Sequence, residues 1–170
     1  MFWFLLMLVG ATPLDSVRDG FKGRRGFEVR FEQEVKQELF PDQPSLARGF
    51  VEYQKPNRLR WVYEAPDKKE IVFHEGKGFI LRGKEKEEIP NARALGVEES
   101  FGFLWGEMNL KQFRVKKIDA SSVEIRPVDL EKAQFEKMLL RISKSKIDEV
   151  KVFDRLGGES RIHFKEWKWK

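Results

Sequence analysis

Apolar and polar residues alternate along most of the chain, most clearly in FEVRFEQEV at residues 27–35. Phe27, Val29, Phe31 and Val35 share one parity, and charged residues fill most of the other. Successive strand side chains point to opposite faces, so this pattern predicts a strand with one buried face. Similar segments follow at hairpin spacing: ARGFVEYQK, NRLRWVYE, KEIVFHE, GFILR, KEKEEI, FRVKKI, SSVEIRP, EKMLLRIS, IDEVKVFD and ESRIHFKEWKW. We therefore expect about ten or eleven short strands.

Two segments depart from this alternation and predict short helices. Leu14, Val17 and Phe21 share one helical face, with Asp15 or Ser16 as the N-cap. In GVEESFGFLWGEMNL, the apolar residues lie within about one helical turn, behind acidic residues that suit a helix N-terminus. The glycines at 102 and 106 disfavour a helix, so this one should be short and mobile.

The order of these elements predicts the fold class. Strands follow one another without βαβ alternation and without a fixed repeat, which indicates an antiparallel sheet. So many strands do not lie flat, so the sheet should be curled or closed. We predict one mainly β (α+β) domain with few helices.

The segment YQKPNRLRWVYEAP raises the question of function. Its Leu59, Trp61 and Tyr63 share one face of a strand, while Arg58 and Arg60 lie on the other. A closed protein core, the wall of a lipid pocket and a nucleic-acid platform would each show this pattern. The residues alone leave all three open, with the closed core favoured.

Composition excludes several classes. Hydrophobic residues make up 41% of the 170 residues and charged residues 36%, which is not the composition of a disordered chain. The net charge of +5 favours acidic surfaces such as phospholipid head groups, nucleic acid or an acidic protein, although most charges can compensate one another. Without cysteine the chain has no disulfide, thiol nucleophile or thiolate metal site.

Catalytic chemistry is not indicated either. His74 and His163 lie within strand patterns, and no nucleophile motif, phosphate loop or dinucleotide fingerprint occurs. We therefore expect no enzymatic activity, no catalytic residue, no metal and no cofactor.

The N-terminal MFWFLLMLVGA is apolar but too short to span a bilayer, which takes roughly 20 helical residues. It is typical of the core of a secretory signal, with small residues at 10 and 11 where a peptidase would cut. We predict a signal peptide at residues 1–11 and one domain at 12–170. An N-terminal anchor or a buried first strand is the alternative.

The order of these segments resembles one family. FEVRFEQEV, GFVEYQKPNRLRWVYEAP, EGKGFIL, ESFGFLWGEMNLKQFRV and DEVKVFDRLGGESRIHFKEW follow one another as in the periplasmic outer-membrane lipoprotein carriers, the LolA-like proteins. The resemblance covers roughly residues 14 to 167. It lies in the order of the whole set rather than in a catalytic signature.

The resemblance implies an unclosed barrel, formed by one strongly curved antiparallel sheet, with helices lidding its concave apolar face. Acyl chains of a lipoprotein would lie between sheet and lid. The carrier would work as a monomer in the periplasm, receiving cargo from an inner-membrane ABC transporter and passing it to an outer-membrane acceptor. The implied cavity residues are Phe31, Leu59, Trp61, Tyr63, Met138 and Leu140, and the implied lid residues are Phe101, Phe103, Leu104 and Trp105.

Two features differ from the family pattern. Lys55 stands where the family commonly has an arginine that ties the lid to the sheet, so Lys55 is the latch candidate. A lysine offers a point charge instead of a planar fork, which predicts a weaker latch. The chain also stops at Lys170, before the further apolar strand common in the family, which leaves the acceptor open. The acceptor relative carries a modified N-terminal cysteine, so this cysteine-free chain should not take that role.

Two other functions stay open. A lipid-binding envelope protein or sensor could share the fold without moving lipoproteins. A single-stranded nucleic-acid module would use interleaved aromatic and basic residues, as in Arg60-Trp61 and the C-terminal KEWKWK. We expect no nucleic-acid partner, because the N-terminus looks secretory. Trp167 and Trp169 could meet a membrane interface, but the favoured interpretation is an edge strand protected by lysines.

Overall fold

A computed structural model describes residues 11–93 and 99–170 of the chain. The predicted signal peptide therefore lies outside the described residues, apart from Ala11. Within these two ranges, one α-helix, α1 (Pro13–Phe21), and one 3₁₀ helix (Glu99–Trp105) accompany eleven strands. The strands are β1 (Gly26–Gln37), β2 (Phe40–Gln54), β3 (Arg58–Ala65), β4 (Lys69–His74), β5 (Lys77–Arg82), β6 (Glu85–Glu88), β7 (Phe113–Lys117), β8 (Ser122–Pro127), β9 (Lys137–Ser143), β10 (Lys146–Phe153) and β11 (Glu159–Trp169).

All eleven strands form one antiparallel sheet that does not close. Its order is β6-β5-β4-β3-β2-β1-β11-β10-β9-β8-β7, so the first and last strands meet at the centre. The two edges, β6 and β7, are four and five residues long. Short edges limit pairing with other chains. The predicted unclosed antiparallel sheet with short helices is confirmed.

The predicted α1 is present, but its N-cap is different. Thr12 is the N-cap, and the Asp15 carboxylate accepts a hydrogen bond from the Thr12 backbone N–H at 2.7 Å. Pro13 occupies the first helical position, where its fixed φ fits and its missing N–H is not needed. The prediction of Asp15 or Ser16 as N-cap was wrong because it overlooked this Thr-Pro start.

The sheet has an apolar concave face and a charged convex face. Leu59 and Trp61 of β3 point inward with 1% and 4% exposure. On the convex side, Arg60 pairs with Glu52 at 2.9 Å and with Glu70 at 3.1 Å. The alternation predicted for β3 is therefore present.

The C-terminal strand is not an edge strand, which corrects the favoured sequence interpretation. β11 lies between β1 and β10, and its register with β1 shifts by one residue between Lys165 and Lys168. Glu166 in this bulge has a positive φ of 56°. An extra residue reverses the facing of everything beyond it. Phe164 and, beyond the bulge, Trp167 therefore both face the core.

Candidate functional site

The six predicted cavity residues share the concave face. Phe31 lies on β1, Leu59, Trp61 and Tyr63 on β3, and Met138 and Leu140 on β9. The Phe31 ring lies 5.1 Å from Trp61 and 5.3 Å from Tyr63, measured between centroids. All six residues belong to or pack against one continuous apolar cluster. Strand alternation places them on this face, and the curvature of the sheet brings them together.

The four predicted lid residues pack onto this cluster from the 3₁₀ helix. Phe101 lies 5.5 Å from both Trp61 and Phe73. Phe103 and Leu104 are buried. The Trp105 ring stacks on Tyr53 at 4.1 Å with an interplanar angle of 4°. Aromatic and aliphatic contacts thus hold the helix against the sheet.

The lid glycines have a packing role that the sequence did not indicate. Gly106 has a φ of +80°, and a Cβ there would lie 2.2 Å from the Arg18 backbone nitrogen of α1. A Cβ on Gly102 would lie 1.9 Å from the Glu107 carbonyl oxygen. These positions need glycine for close backbone approach. Close packing is enough to explain both glycines, so they are not evidence of mobility. The mobility expected of this helix stays a prediction.

Lys55 contacts α1 rather than the 3₁₀ helix. Its Nζ lies 4.4 Å from the centroid of the Phe21 ring, a cation–π contact. Phe21 also packs on Phe27 and Tyr53, at 5.9 Å from each. The proposed latch residue therefore lies against a helix that covers the concave face, although through a ring instead of a hydrogen-bonded fork.

Sequence reasoning missed two parts of this site. Tyr53 carries the stacking contact to Trp105, and its parity in GFVEYQK, shared with Val51, was the signal available. The α1 helix covers the site beside the 3₁₀ helix, with Leu14, Val17 and Phe21 all buried. Their helical spacing was visible, but not the strands on which they pack.

Two of the predicted cavity residues carry a polar group: Trp61, whose buried indole N–H has no hydrogen-bond partner among the described residues, and Tyr63. The Tyr63 hydroxyl donates a hydrogen bond to Oε1 of Gln33 at 3.0 Å. Burial raises the pKa of Tyr63 to about 12, because the phenolate loses hydration. Tyr63 therefore keeps its proton at neutral pH.

The concave face is covered by the side chains of the core cluster, which include residues of both helices. Three clefts open at the surface of the described residues, with volumes of about 440, 250 and 230 Å³. None of these three is lined by any of the six predicted cavity residues. In this structure the 3₁₀ helix packs directly on the sheet.

The tryptophans that suggested a nucleic-acid platform, Trp61, Trp167 and Trp169, are buried or partly buried. Trp61 is buried and Arg60 is ion-paired. Trp167 and Trp169 pack against the core cluster, with Trp167 5.0 Å from Phe27. Stacking on bases needs accessible rings.

Residues 11–93 and 99–170 contain neither a cluster of side chains suited to a metal ion nor a helix suited to span a membrane. No three histidine or acidic side chains in these ranges come together as a metal site. Likewise, neither of their helices is long and apolar enough to cross a bilayer.

An unclosed antiparallel half-barrel with two short helices packed on its apolar concave face defines the structural class. The sequence profile of the outer membrane lipoprotein carrier protein LolA matches residues 22–170, and the chain belongs to this family. Members of the family are carrier or binding proteins rather than enzymes. The family is periplasmic.

Solved structures share the fold at low sequence identity. A LolA superfamily protein from Nitrosomonas europaea matches with a TM-score of 0.51 and 12% identity, covering 95% of this chain and 94% of its own. A DUF1329 family protein from Desulfovibrio piger matches with a TM-score of 0.51 and 8% identity, covering 93% and 92%. The structure of the Pseudomonas aeruginosa MucA/MucB complex matches with a TM-score of 0.50 and 12% identity, covering 92% of this chain and 56% of its own. No curated protein matches the sequence.

Proposed function

We propose that this protein is a non-enzymatic periplasmic carrier that shields the acyl chains of lipoproteins between its concave sheet face and its two helices. The observation that carries the proposal is the apolar cluster of the site, in which the helices contact the sheet through apolar and aromatic side chains. Membership of the lipoprotein carrier family supports the same function.

The geometry suggests how cargo would enter. Phe101, Phe103 and Leu104 lie on the concave face. When the lid lifts, acyl chains would take their place against Phe31, Trp61 and the other cavity residues. Each acyl methylene removed from water contributes about 0.8 kcal/mol. A long chain therefore offsets the exposure of a few lid side chains.

The proposed route has two membrane partners. An inner-membrane ABC transporter would load the carrier, and an outer-membrane acceptor would unload it. The carrier would act as a monomer, because one chain supplies both sheet and lid. Residues 1–11 would direct export and be removed.

Helix opening can be tested with a reversible disulfide. A Cβ built on Gly20 of α1 lies 3.1 Å from the Cβ of Ser145 in the β9–β10 turn. This is close to the separation of about 3.5–4.5 Å found in disulfides. The chain has no other cysteine, so Gly20→Cys with Ser145→Cys would form a single bond that ties α1 to the sheet.

We expect the reduced double variant to keep a triacylated lipoprotein soluble in detergent-free buffer, as a one-to-one complex by native mass spectrometry. The oxidised variant should lose this complex, and dithiothreitol should restore it. The two single-cysteine variants are the controls for the substitutions. Equal binding by the oxidised form would contradict the moving helix, and no binding by wild type would contradict the carrier.

This design replaces the substitution that the sequence suggests, Leu59→Glu. Sequence reasoning expects that change to block cargo uptake and leave the fold intact. Leu59 is almost fully buried. A carboxylate there would be buried without a partner, so lost folding would mimic lost binding.

A lipid-binding sensor of the same fold is the second candidate. The MucA/MucB complex structure shows that the same fold also occurs in a protein–protein complex. Such a sensor would bind a lipid or an acylated peptide in the same assay but would not transfer it to acceptor vesicles.

A further inference from the structure

Exposed apolar side chains collect at one end of the sheet. The registers place the β1–β2, β3–β4 and β10–β11 turns and the β8–β9 loop at the same end. Among the described residues, seven of the eight exposed large apolar side chains lie at this end: Leu39, Phe40, Leu46, Leu110, Val128, Leu130 and Leu156. Ile118, in the β7–β8 turn, lies at the opposite end. Such clustering is not expected of scattered surface residues.

Three of these side chains form what we call the apolar tip: Leu39, Phe40 and Leu156. Leu39 is 84% exposed and Leu156 is 85% exposed. Their turns touch, because the Glu38 carboxylate lies 2.6 Å from the position of a Cβ on Gly157. The tip is therefore one surface built from two turns of adjacent strands.

The turn that carries Leu156 is held by its own hydrogen bonds. The Asp154 carboxylate accepts the backbone N–H of Leu156 at 2.7 Å and that of Gly158 at 3.0 Å. The Leu156 side chain is thus held out in solvent by a fixed turn. A side chain fixed in water in this way loses no further backbone freedom on binding.

The strand beside the tip is not built to pair with another strand. β2 carries Pro41 and Pro44 close to Phe40, and neither has an N–H to donate. Addition of a partner strand along this segment is therefore disfavoured. The partner must instead contact side chains that project singly from separate turns.

The charge around the tip is not basic. Two basic residues, Lys36 and Arg155, stand against four acidic residues, Glu38, Asp42, Asp154 and Glu159. The attraction available at the tip is therefore apolar, not electrostatic. A bilayer surface can receive several projecting apolar side chains at once without a matching groove.

From these features we infer that the apolar tip inserts into a lipid bilayer surface and seats this end of the sheet on the membrane. This inference rests on the proposed carrier function, since a carrier of acyl chains must meet membranes to load or unload. It is separate from the C-terminal tryptophans, which pack against the core.

The test uses single-cysteine variants of the full chain, which has no cysteine of its own. Leu39→Cys and Leu156→Cys, each labelled with an environment-sensitive fluorophore, are mixed with phosphatidylcholine vesicles. We expect a blue shift, a rise in intensity, and quenching by nitroxide-labelled lipid. Ile118→Cys, half-exposed at the opposite end, is the matched control and should show none of these changes.

Two further measurements distinguish a lipid bilayer from other partners of the tip. The signals should persist at high salt, because salt screens attraction between charges and the attraction at the tip is apolar. Phe40→Ser with Leu156→Ser should lower vesicle partitioning roughly tenfold or more. No change at 39 and 156, an equal change at 118, or a signal seen only with a second protein would overturn the inference.

Failure here is distinguishable from failure of the carrier function. The fluorescence assay contains no lipoprotein, so it reports membrane contact alone. A chain that solubilises lipoprotein but shows no lipid contact at 39 and 156 would remain a carrier without this docking surface.

Discussion

Tyr63 shows what burial does to a single side chain. Its pKa is about 12 in the folded protein, above the value of 10.0 for an unperturbed tyrosine. A raised folded-state pKa means that this contribution to stability is fully present below about pH 10 and is lost as the pH rises towards about 12. At neutral pH the phenol simply donates to Gln33.

Tyr63→Phe should therefore reduce alkaline sensitivity. We expect wild type to lose up to about 2 kcal/mol of unfolding free energy from this group on going to about pH 12. The phenylalanine variant should lose less over the same interval. Urea unfolding near neutral pH and at about pH 12 measures this, and equal losses in the two proteins would contradict the role of Tyr63.

Gly106 shows a second residue-scale effect, the close approach of two backbones. Gly106→Ala should destabilise the fold by more than about 2 kcal/mol, since its Cβ would meet the Arg18 backbone at 2.2 Å. Gly23→Ala is the matched control, with a φ of +78° and nothing within 4 Å of its Cβ.

The control variant should lose only about 1 kcal/mol, the cost of a left-handed backbone. Chemical denaturation gives the unfolding free energy of each variant, and the difference between the two losses measures the close contact between Gly106 and α1. Equal losses would show that α1 moves away from Gly106 at little cost.

At the scale of elements, the bulge in β11 decides where two tryptophans lie. Ile162 and Phe164 share even parity, whereas Trp167 and Trp169 share odd parity. This parity change within one apolar strand is itself a sequence signal for an inserted residue. Glu166 supplies the insertion, with its backbone in the left-handed region.

Deletion of Glu166 should be far more damaging than its replacement by glycine. Glu166→Gly keeps the extra residue and suits a positive φ, so its unfolding free energy should stay within about 1 kcal/mol of wild type. Deletion turns Trp167 and Trp169 to the charged face and should cost about 3 kcal/mol or more. Thermal unfolding followed by tryptophan fluorescence compares the two, and similar melting temperatures would contradict the bulge.

The helices were predictable to different degrees. α1 has regular apolar spacing, and only its N-cap was misplaced. The second helix was expected to be short, and it is a 3₁₀ helix of seven residues. The first three residues of the predicted segment GVEESFGFLWGEMNL, residues 96–98, lie outside the described residues.

At the scale of the molecule, strand 11 completes the sheet. It joins β1 to β10, so contacts between the two ends of the chain occupy the centre of the fold. Pairing of distant strands is costly to form and is invisible to a local pattern. This explains why local reasoning placed the C-terminal strand at an edge.

The candidate site was likewise only partly predictable from local patterns. The concave facing of Leu59, Trp61 and Tyr63 could be read from parity, and the six cavity residues do meet in one layer. Tyr53 could have been added from its parity, since it pairs with Leu59 across the β2–β3 hairpin. The helix α1 comes from a part of the chain that no local rule connects to this layer. Whether this layer opens for acyl chains is the subject of the proposed disulfide test.

Alternation and helical spacing were enough to predict about ten or eleven strands, the face of most strand side chains and the two short helices, because these patterns are local properties of the chain. The pairing of β1 with β11, the packing of α1 beside the 3₁₀ helix, and the gathering of the exposed apolar turns at one end could be seen only in the folded chain. Those features depend on contacts between residues far apart in the chain, and such contacts leave no local pattern.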